Sequence, residues 1–177
     1  MKPLTTKILK VLSISLAMGI GMTSNAADQP PPPCSPEEYR QFDFWIGEWE
    51  VFNPQGNKVG DNKIEVILGS CVLKESWVSA SQNRGHSFNI YDRSTGKWHQ
   101  TWVDNGGTLL LLDGGLIDGA MVMQGETVGQ NGKVLNRITW TPKQDKDGKT
   151  QVQQVWDVSQ DNGETWSTAF DGLYIKK

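Results

Sequence analysis

The feature that most constrains the fold of this chain is a series of short segments, from residue 42 onward, in which apolar and polar residues alternate. In residues 60–68, Ile64 and Val66 fall on one face and Lys63 on the other, which is the pattern of a half-buried β-strand. Turns rich in glycine and asparagine separate these segments, and Asn131-Gly132 is a strong hairpin signal. No stretch in this region has the apolar period or the length of a helix. The sequence therefore predicts an all-β fold.

The connections between the predicted strands determine their arrangement. There are about ten strands, and their linkers are too short for crossovers, which implies antiparallel neighbours in chain order. Such a meander has two exposed edges, and closure into an up-and-down barrel removes both of them. We therefore expect a barrel, with a β-sandwich as the alternative. Around Asp113-Gly114-Gly115 the glycines predict a break between short pieces of strand.

Residues 42–51 begin the first strand and favour the barrel over the sandwich. They start as a cluster of large apolar side chains and change at Gly47 to a strict alternation. An aromatic cluster that runs directly into a strand suits the closed end of a cylinder and has no evident purpose in a sandwich. We therefore expect Phe44 and Trp45 to close one end of the barrel, and Trp49 to be the first inward residue of its wall.

A proline-rich leader, residues 27–36, precedes this stretch and is expected to be stiff and solvated. Its end resembles a helix start, because Ser35 can cap a helix, Pro36 suits the first helical position and Glu38 can complete a capping box. The sequence thus predicts one or two helical turns before the first strand. Residues 37–177 are then a single barrel domain, since the chain is too short for two ordinary domains.

Residues 1–26 have the pattern of a secretory signal peptide. Three lysines and no acidic residue come first, an apolar run over residues 11–22 follows, and small residues lead to Ala26, after which we expect cleavage. The apolar run is shorter than the roughly 20 residues that a transmembrane helix needs. The sequence therefore predicts a periplasmic or extracellular protein that has no membrane contact after cleavage.

Charge excludes one class of partner. Without residues 1–26 the chain has 14 basic and 20 acidic residues, a net charge of −6. It contains no basic cluster of the kind that binds a phosphate backbone, so nucleic acid is not an expected partner. The oligomeric state is left open.

The two cysteines, Cys34 and Cys71, are expected to form a disulfide, because an exported chain meets an oxidising compartment. The bond would tie the leader to the start of a strand. Two free buried thiols and a metal-binding pair are the alternatives. No metal site is predicted, because the chain has too few Cys and His residues to complete one.

The turn before the last strand, Ser159 to Trp166, resembles an Asp-box, the S-x-D-x-G-x-T-W hairpin found in sialidases and other β proteins. In such a hairpin Asp161 would accept backbone N–H groups, Gly163 would adopt a conformation that other residues avoid, and Trp166 would pack over the turn. A single copy does not make a propeller, and the repeats and the arginine cluster of a sialidase are absent. We therefore expect a structural role for these residues.

The start of the first strand carries a family resemblance. Gly47-Glu48-Trp49, preceded by a short helix and Phe44-Trp45, is similar to the G-x-W signature of the lipocalin and calycin barrels. The F-D-F-W-x-G-x-W form and the strand count look more like nitrobindin-like barrels and their secreted bacterial relatives. The resemblance implies a ten-stranded barrel with an internal cavity, in which Trp45, Gly47 and Trp49 are structural residues.

Nitrobindin-like proteins hold haem through a histidine on a strand near the C-terminus. The histidines of this chain are His86 and His99, and none lies beyond Trp102, so that ligand position has no counterpart. His99 is also predicted to face away from Trp98 and Trp102. No cofactor is therefore expected.

Tryptophans and polar residues share several predicted inward faces, which is the composition of many ligand sites. Barrels of this size can hold a small ligand. The leading hypothesis is therefore a non-catalytic barrel that binds a small, partly apolar molecule. The candidate ligand-binding residues are Glu75, Trp77, Asn89, Tyr91, Gln100, Trp102, Asp104, Gln154 and Trp156. Asn89 and Tyr91 belong to this set only if their face of the strand, rather than the face of Phe88 and Ile90, points inward, and the alternation does not decide between the two faces.

Four other hypotheses remain. The tryptophans can simply fill a packed core. Glu75 and Asp104 can be a buried acid and base of an enzyme, although the chain contains no recognised catalytic spacing and no catalytic residue is assigned. Outward tryptophans in a row would make a carbohydrate-binding module. A structural or partner-binding domain is the last.

Overall fold

A computed structural model describes residues 31–130 and 132–177. The predicted signal peptide and the first part of the leader lie outside these residues. In the described part, ten strands form one closed antiparallel barrel, which confirms the predicted fold class.

The elements follow one another with short turns. In the described part of the chain, two 3₁₀ helices, Glu37–Arg40 and Asp43–Trp45, precede the strands. The strands are β1 (Gly47–Phe52), β2 (Lys58–Ile67), β3 (Val72–Ser79), β4 (Arg84–Asp92), β5 (Lys97–Asp104), β6 (Leu109–Ile117), β7 (Ala120–Gly129), β8 (Gly132–Gln144), β9 (Thr150–Ser159) and β10 (Ser167–Lys176). Each helix in the described residues is too short and too polar to cross a membrane.

The barrel closes by pairing its first and last strands. Val51 of β1 lies opposite Tyr174 of β10, and Trp49 lies opposite Lys176. Every other strand pairs with the strands before and after it in the chain. Closure satisfies the backbone N–H and C=O groups that an open meander would leave at its edges.

The predicted helix start is only partly right. The first 3₁₀ helix begins after Pro36, and no side chain caps it in the described part of the chain, so the capping box with Ser35 and Glu38 does not form. The helix begins one residue later than predicted, so Pro36 occupies the N-cap position, and its side chain has no hydrogen-bond acceptor.

Aromatic side chains close one end of the barrel. Phe42 and Trp45 are fully buried and stack with ring centroids 4.9 Å apart, and Trp140 from β8 meets both rings. Phe44 is only partly buried, so the plug is formed by Phe42 and Trp45 rather than by Phe44 and Trp45. Trp98, at the start of β5, fixes the helical segment here by donating from Nε1 to the carbonyl oxygen of Glu38 at 3.2 Å.

Strand β6 continues through Asp113-Gly114-Gly115, so the predicted break is wrong. The backbone of β7 passes so close to Gly114 that an added Cβ would overlap the carbonyl oxygen of Val122. The glycine therefore permits a close approach between two paired strands instead of ending one of them.

Cys34 and Cys71 form the predicted disulfide, with Cα atoms 5.1 Å apart. The bond joins the leader to the turn between β2 and β3, and the guanidinium of Arg40 donates to the carbonyl oxygen of Ser70 in the same turn. The start of the domain is thus anchored to the barrel wall. Such a bond is typical of proteins in non-reducing compartments.

Candidate functional site

A cavity of about 420 Å³ occupies the half of the barrel away from the aromatic plug. Strand β5 shows the direction, because Trp98 at its start contacts the helical segment and Asp104 at its end lines the cavity. The turns β3–β4 and β5–β6 contribute Asn83 and Thr108 to the rim. A volume of this size is within the range of small-molecule sites.

Most of the candidate ligand-binding residues line this cavity. They share inward positions on β3, β5 and β9, because alternate residues of a strand face the same side of the barrel wall. The lining candidates are Glu75, Trp77, Gln100, Trp102, Asp104, Gln154 and Trp156.

The other two candidates, Asn89 and Tyr91, also lie on the inner face of β4 but nearer the plug. Tyr91 packs edge-on against Tyr39 at 5.1 Å and near Trp98 at 6.3 Å. Asn89 is fully buried behind the cavity, where its side chain bonds to Ser87. Tyr91 thus belongs to the closed end, and Asn89 supports the lining without forming part of it.

The sequence pattern did not identify ten of the lining residues. Trp140 and Tyr174 could have been found, because each continues the inward alternation of a predicted strand. The alternation in the sequence could not identify the residues at the rim, because their position depends on the conformation of the turns. The missed residues are Val59, Ser79, Asn83, Thr108, Leu110, Ile138, Trp140, Ala169, Phe170 and Tyr174.

Glycines on the inner wall make room for the aromatic rings of the cavity. A Cβ at Gly85 would overlap the indole of Trp102, which lies across the backbone of β4. A Cβ at Gly172 would come within 2.6 Å of the ring of Phe170. These rings therefore lie flat along the wall and leave the centre of the barrel open.

Glu75 lies at the inner end of the cavity and is only 5% exposed. Its Oε1 accepts a hydrogen bond of 2.7 Å from Asn62 Nδ2, and its Oε2 accepts one of 2.7 Å from Ser87 Oγ. Asn62 Nδ2 also lies 3.5 Å from the hydroxyl of Tyr174, which donates to Gln154 Oε1. One carboxyl group thus connects side chains from β2, β4, β9 and β10.

A second branch of this network holds Ser87 in place. Asn89 Nδ2 donates to Ser87 Oγ at 2.9 Å and to the carbonyl oxygen of Leu73 at 3.2 Å. Gln100 Nε2 donates to Asn89 Oδ1 at 2.8 Å. All three polar side chains are at most 2% exposed, so the orientation of Glu75 is determined by buried hydrogen bonds.

Burial raises the pKa of Glu75 to about 7, and the hydrogen bonds from Ser87 and Asn62 only partly oppose this rise. Desolvation dominates because a charged carboxylate loses its hydration inside the barrel. Burial also raises the pKa of Tyr174 well above its usual range, and the nearby Glu75 adds to this effect. The cavity therefore contains a carboxyl group that changes its charge near neutral pH.

Asp104 has a different role at the rim. Its Oδ1 accepts hydrogen bonds from the backbone N–H groups of Gly106 at 2.9 Å and Thr108 at 3.0 Å, and its Oδ2 accepts one from Asn83 Nδ2. Partial burial would raise the pKa of Asp104, but the hydrogen bonds from Thr108 and Gly106 outweigh it and lower the pKa. Asp104 thus stabilises the β5–β6 turn as a carboxylate.

Both histidines lie on the outer face of the wall. His99 Nδ1 is 2.9 Å from Asp113 Oδ1, and His86 Nδ1 is 3.2 Å from the backbone oxygen of Glu75. Neither histidine lines the cavity. A haem in the cavity would therefore find no imidazole ligand among the residues that the structure describes.

The Asp-box residues form a compact hairpin between β9 and β10. Asp161 accepts hydrogen bonds from the N–H of Thr165 at 2.9 and 3.0 Å and from Ser159 Oγ at 2.7 Å. Trp166 donates from Nε1 to the backbone oxygen of Gly163 at 3.1 Å, and the guanidinium of Arg137 stacks over its ring. The hydrogen bonds, led by those from Thr165, lower the pKa of Asp161 to about 2.

The tryptophans do not form an outward row. Trp45, Trp49, Trp98 and Trp140 are buried, and Trp77, Trp102 and Trp156 line the cavity. Trp166 alone covers the hairpin, so these eight residues do not make the extended sugar-stacking surface that a carbohydrate-binding module needs.

Comparisons with known proteins supply no further assignment. No protein-family model matches the chain, and no curated protein matches it.

Proposed function

We propose that this protein is a secreted or periplasmic barrel that binds a small, partly apolar molecule in its cavity without transforming it. The single observation that carries the proposal is the cavity of about 420 Å³, which is lined by aromatic rings and a few inward polar groups. An apolar pocket with a small number of placed polar groups is the usual form of a binding site. A packed core would have filled this volume with side chains.

Polar side chains at the inner end of the cavity support the proposal. Glu75, Gln100 and Gln154 line the cavity beside the aromatic rings, and Glu75 and Gln100 are at most 5% exposed. A few placed polar groups of this kind fix the orientation of a ligand in a mostly apolar pocket.

The location rests on two features. The disulfide between Cys34 and Cys71 fits an oxidising compartment, and the predicted signal peptide at residues 1–26 would deliver the chain there. We also infer kinship with the lipocalin and calycin barrels, closest to the nitrobindin-like group. This inference is supported by Gly47-Glu48-Trp49 at the start of β1, where the Nε1 of Trp49 donates to the carbonyl oxygen of Trp45 at 2.9 Å.

A ligand screen tests the binding function. Purified residues 27–177 would be titrated with a panel of apolar and aromatic compounds, and binding followed by quenching of tryptophan fluorescence and by calorimetry. We expect saturable binding of at least one compound. Trp102→Leu should weaken it at least tenfold, because Trp102 lines the cavity. Trp166→Leu is the matched control, because Trp166 packs on the hairpin. Equal effects of both variants, or no binding by any compound, would contradict the proposal.

An enzyme is the second candidate, and one observation favours it. Burial raises the pKa of Glu75 to about 7, which is suitable for proton transfer at neutral pH. Asp104 is a poor partner, because three hydrogen bonds hold its carboxylate in the turn. If any hydrolytic or isomerising activity is found, Glu75→Gln should abolish it while Asp104→Asn should reduce it only modestly. Activity that survives Glu75→Gln would rule out this role.

A further inference from the structure

We propose that the preferred ligand of the cavity is an organic cation, such as a substituted ammonium group attached to a small apolar body. The inference rests on the proposed binding function and adds the charge of the ligand to it. Three features of the cavity carry it, namely the sign of its charged residues, its aromatic lining, and the position of Glu75.

The charged residues of the cavity have one sign. Its lining contains two carboxyl groups, Glu75 at the inner end and Asp104 at the rim. No Lys, Arg or His is present among the described lining residues. An anion would therefore meet no opposite charge and at least one like charge, whereas a cation would meet only favourable groups. A cleft lined by one sign of charge also concentrates ligands of the opposite sign.

Arg84, a cationic residue that follows the rim residue Asn83, leaves the charge of the lining unchanged. The guanidinium of Arg84 donates to the backbone oxygens of Ser79 at 2.8 Å, Ser81 at 3.0 Å and Asn83 at 2.7 Å. Three carbonyl groups of the β3–β4 turn thus bind its Nη1, and the residue is exposed. Arg84 thus stabilises that turn, and it does not line the cavity.

The aromatic lining provides a second attraction for a cation. Trp77, Trp102, Trp156 and Phe170 are half-buried around the cavity, and the rings of Trp77 and Phe170 are 6.1 Å apart in an edge-on arrangement. The faces of such rings carry negative electrostatic potential and bind ammonium groups, most strongly where water is excluded. A neutral apolar ligand would gain from burial alone.

Glu75 couples cation binding to the release of a proton. A positive charge beside a carboxyl group favours its ionised form, so a bound cation would lower the pKa of Glu75. Because that pKa is about 7 in the empty cavity, Glu75 would lose its proton on binding at pH 6 to 7. The affinity for a cation should therefore rise with pH, by at most about tenfold per pH unit below 7.

The side chains around the Glu75 carboxyl group do not change their charge in the tested pH range, so the titration is assigned to Glu75. The elements packed against its carboxyl group present Asn62, Ser87 and Gln100, which do not titrate, and Tyr174, whose pKa is raised well above its usual range by burial. Asp104 has a lowered pKa and stays ionised from pH 5.5 to 8.5. His86 approaches the backbone oxygen of Glu75 from the outer face and does not reach its carboxyl group.

The test compares three matched ligands. Residues 27–177 would be titrated by calorimetry with benzyltrimethylammonium, with its uncharged isostere neopentylbenzene, and with the anion phenylacetate, at pH 5.5, 7 and 8.5. Each titration at pH 7 is repeated in two buffers of different ionisation enthalpy, which counts the protons released. We expect the cation to bind at least tenfold more tightly than either other ligand at pH 8.5, and to release a fraction of a proton at pH 7.

Variants locate the effect. Glu75→Gln should remove both the proton release and the rise of cation affinity with pH, whereas Glu65→Gln, on the outer face of β2, should change neither. If Glu75→Gln does not fold, the number of protons that the unmodified protein releases on binding the cation still tests the inference. The inference is overturned if the isostere binds as tightly as the cation, if no proton is released, or if the pH dependence persists in Glu75→Gln. Binding of the isostere alone would leave the proposed binding function intact.

Discussion

Glu75 and Ser87 are joined by a hydrogen bond of 2.7 Å inside the barrel, and both side chains are buried. The bond connects neighbouring strands at the inner end of the cavity, where the aromatic plug meets the open half. A carboxyl group in this position costs stability when it is charged, and its orientation depends on the surrounding amides.

The stability of the protein should fall as pH rises from 5 to 8. The pKa of Glu75 is 4.5 in an unfolded chain and about 7 when folded, so the folded state holds its proton more tightly across this window. The higher pKa in the folded state adds roughly 3 kcal/mol to the free energy of unfolding. This contribution is complete below pH 4.5 and is lost as the pH rises past 7. Urea unfolding of the unmodified protein and Glu75→Gln at several pH values measures this. The variant should show a flatter profile, and parallel profiles would contradict the assignment.

Removal of the disulfide should destabilise the barrel strongly. The bond spans 37 residues, and loop closure of this length corresponds to roughly 3 to 4 kcal/mol. The double variant Cys34→Ser/Cys71→Ser should therefore unfold at a lower urea concentration than the oxidised protein. Reduction of the unmodified protein is the control and should give a similar loss. A reduced protein that is as stable as the oxidised one would contradict this expectation.

Two buried tryptophans should respond differently to the same substitution. Trp49 donates from Nε1 to the carbonyl oxygen of Trp45 at 2.9 Å, whereas the indole N–H of Trp140 has no partner in the described chain. Trp49→Phe leaves a buried carbonyl unsatisfied and should cost about 1 to 2 kcal/mol more than Trp140→Phe. Both rings are at most 1% exposed, so the loss of packing is comparable. Urea denaturation compares them, and the reverse order would refute the explanation.

Gly85→Ala should disturb the cavity, because the added methyl group would overlap the indole of Trp102. The ring must then move toward the centre of the barrel, which should weaken ligand binding and lower stability by about 1 to 3 kcal/mol. Gly115→Ala is the matched control, since nothing lies within 4 Å of its added Cβ. Calorimetric titration with a ligand found in the screen measures the difference. If both variants bind as the unmodified protein does, Gly85 does not make room for the ring.

Asp161→Ala should loosen the hairpin between β9 and β10. Its carboxylate accepts the N–H of Thr165, and its lowered pKa means that this stabilisation is present above pH 4 and is lost as pH falls to about 2. The amide of Thr165 should exchange hydrogen faster in the variant, and the melting temperature should fall slightly. Glu164→Ala, in the same hairpin, is the control and should leave that amide protected. Unchanged exchange in Asp161→Ala would contradict this role.

The sequence predicted the fold because its alternation is local. Most strands show their inward face through a period of two residues, and short turns leave antiparallel pairing as the simplest connection. This is why the alternation alone assigns Trp77, Trp102 and Trp156 to the interior. The prediction of a break in β6 was wrong because a glycine in a strand can have either of two structural roles. Gly114 was expected to break a strand, and it instead allows β7 to approach closely.

The depth of each side chain inside the barrel could not be predicted in this way. Tyr91 and Trp102 have the same inward periodicity, yet Tyr91 lies at the closed end and Trp102 lines the cavity. Depth depends on the stagger of the strands and on the place where the ends of the sheet meet, and neither is encoded in a single strand.

The sequence by itself determined an all-β chain and most of its inward faces, and it favoured a disulfide between the two cysteines, because these features are readable from local period and residue type. Only the structure decided that Asn89 and Tyr91 face inward on β4 and that the disulfide forms. Only the tertiary structure decided that the aromatic residues at 42–45 fill one end and that the other end stays open. It also brought Asn62, Ser87 and Tyr174 around Glu75. The physical reason is that closure of the barrel joins β1 to β10, and the meeting of these distant strands places the side chains that give Glu75 its environment.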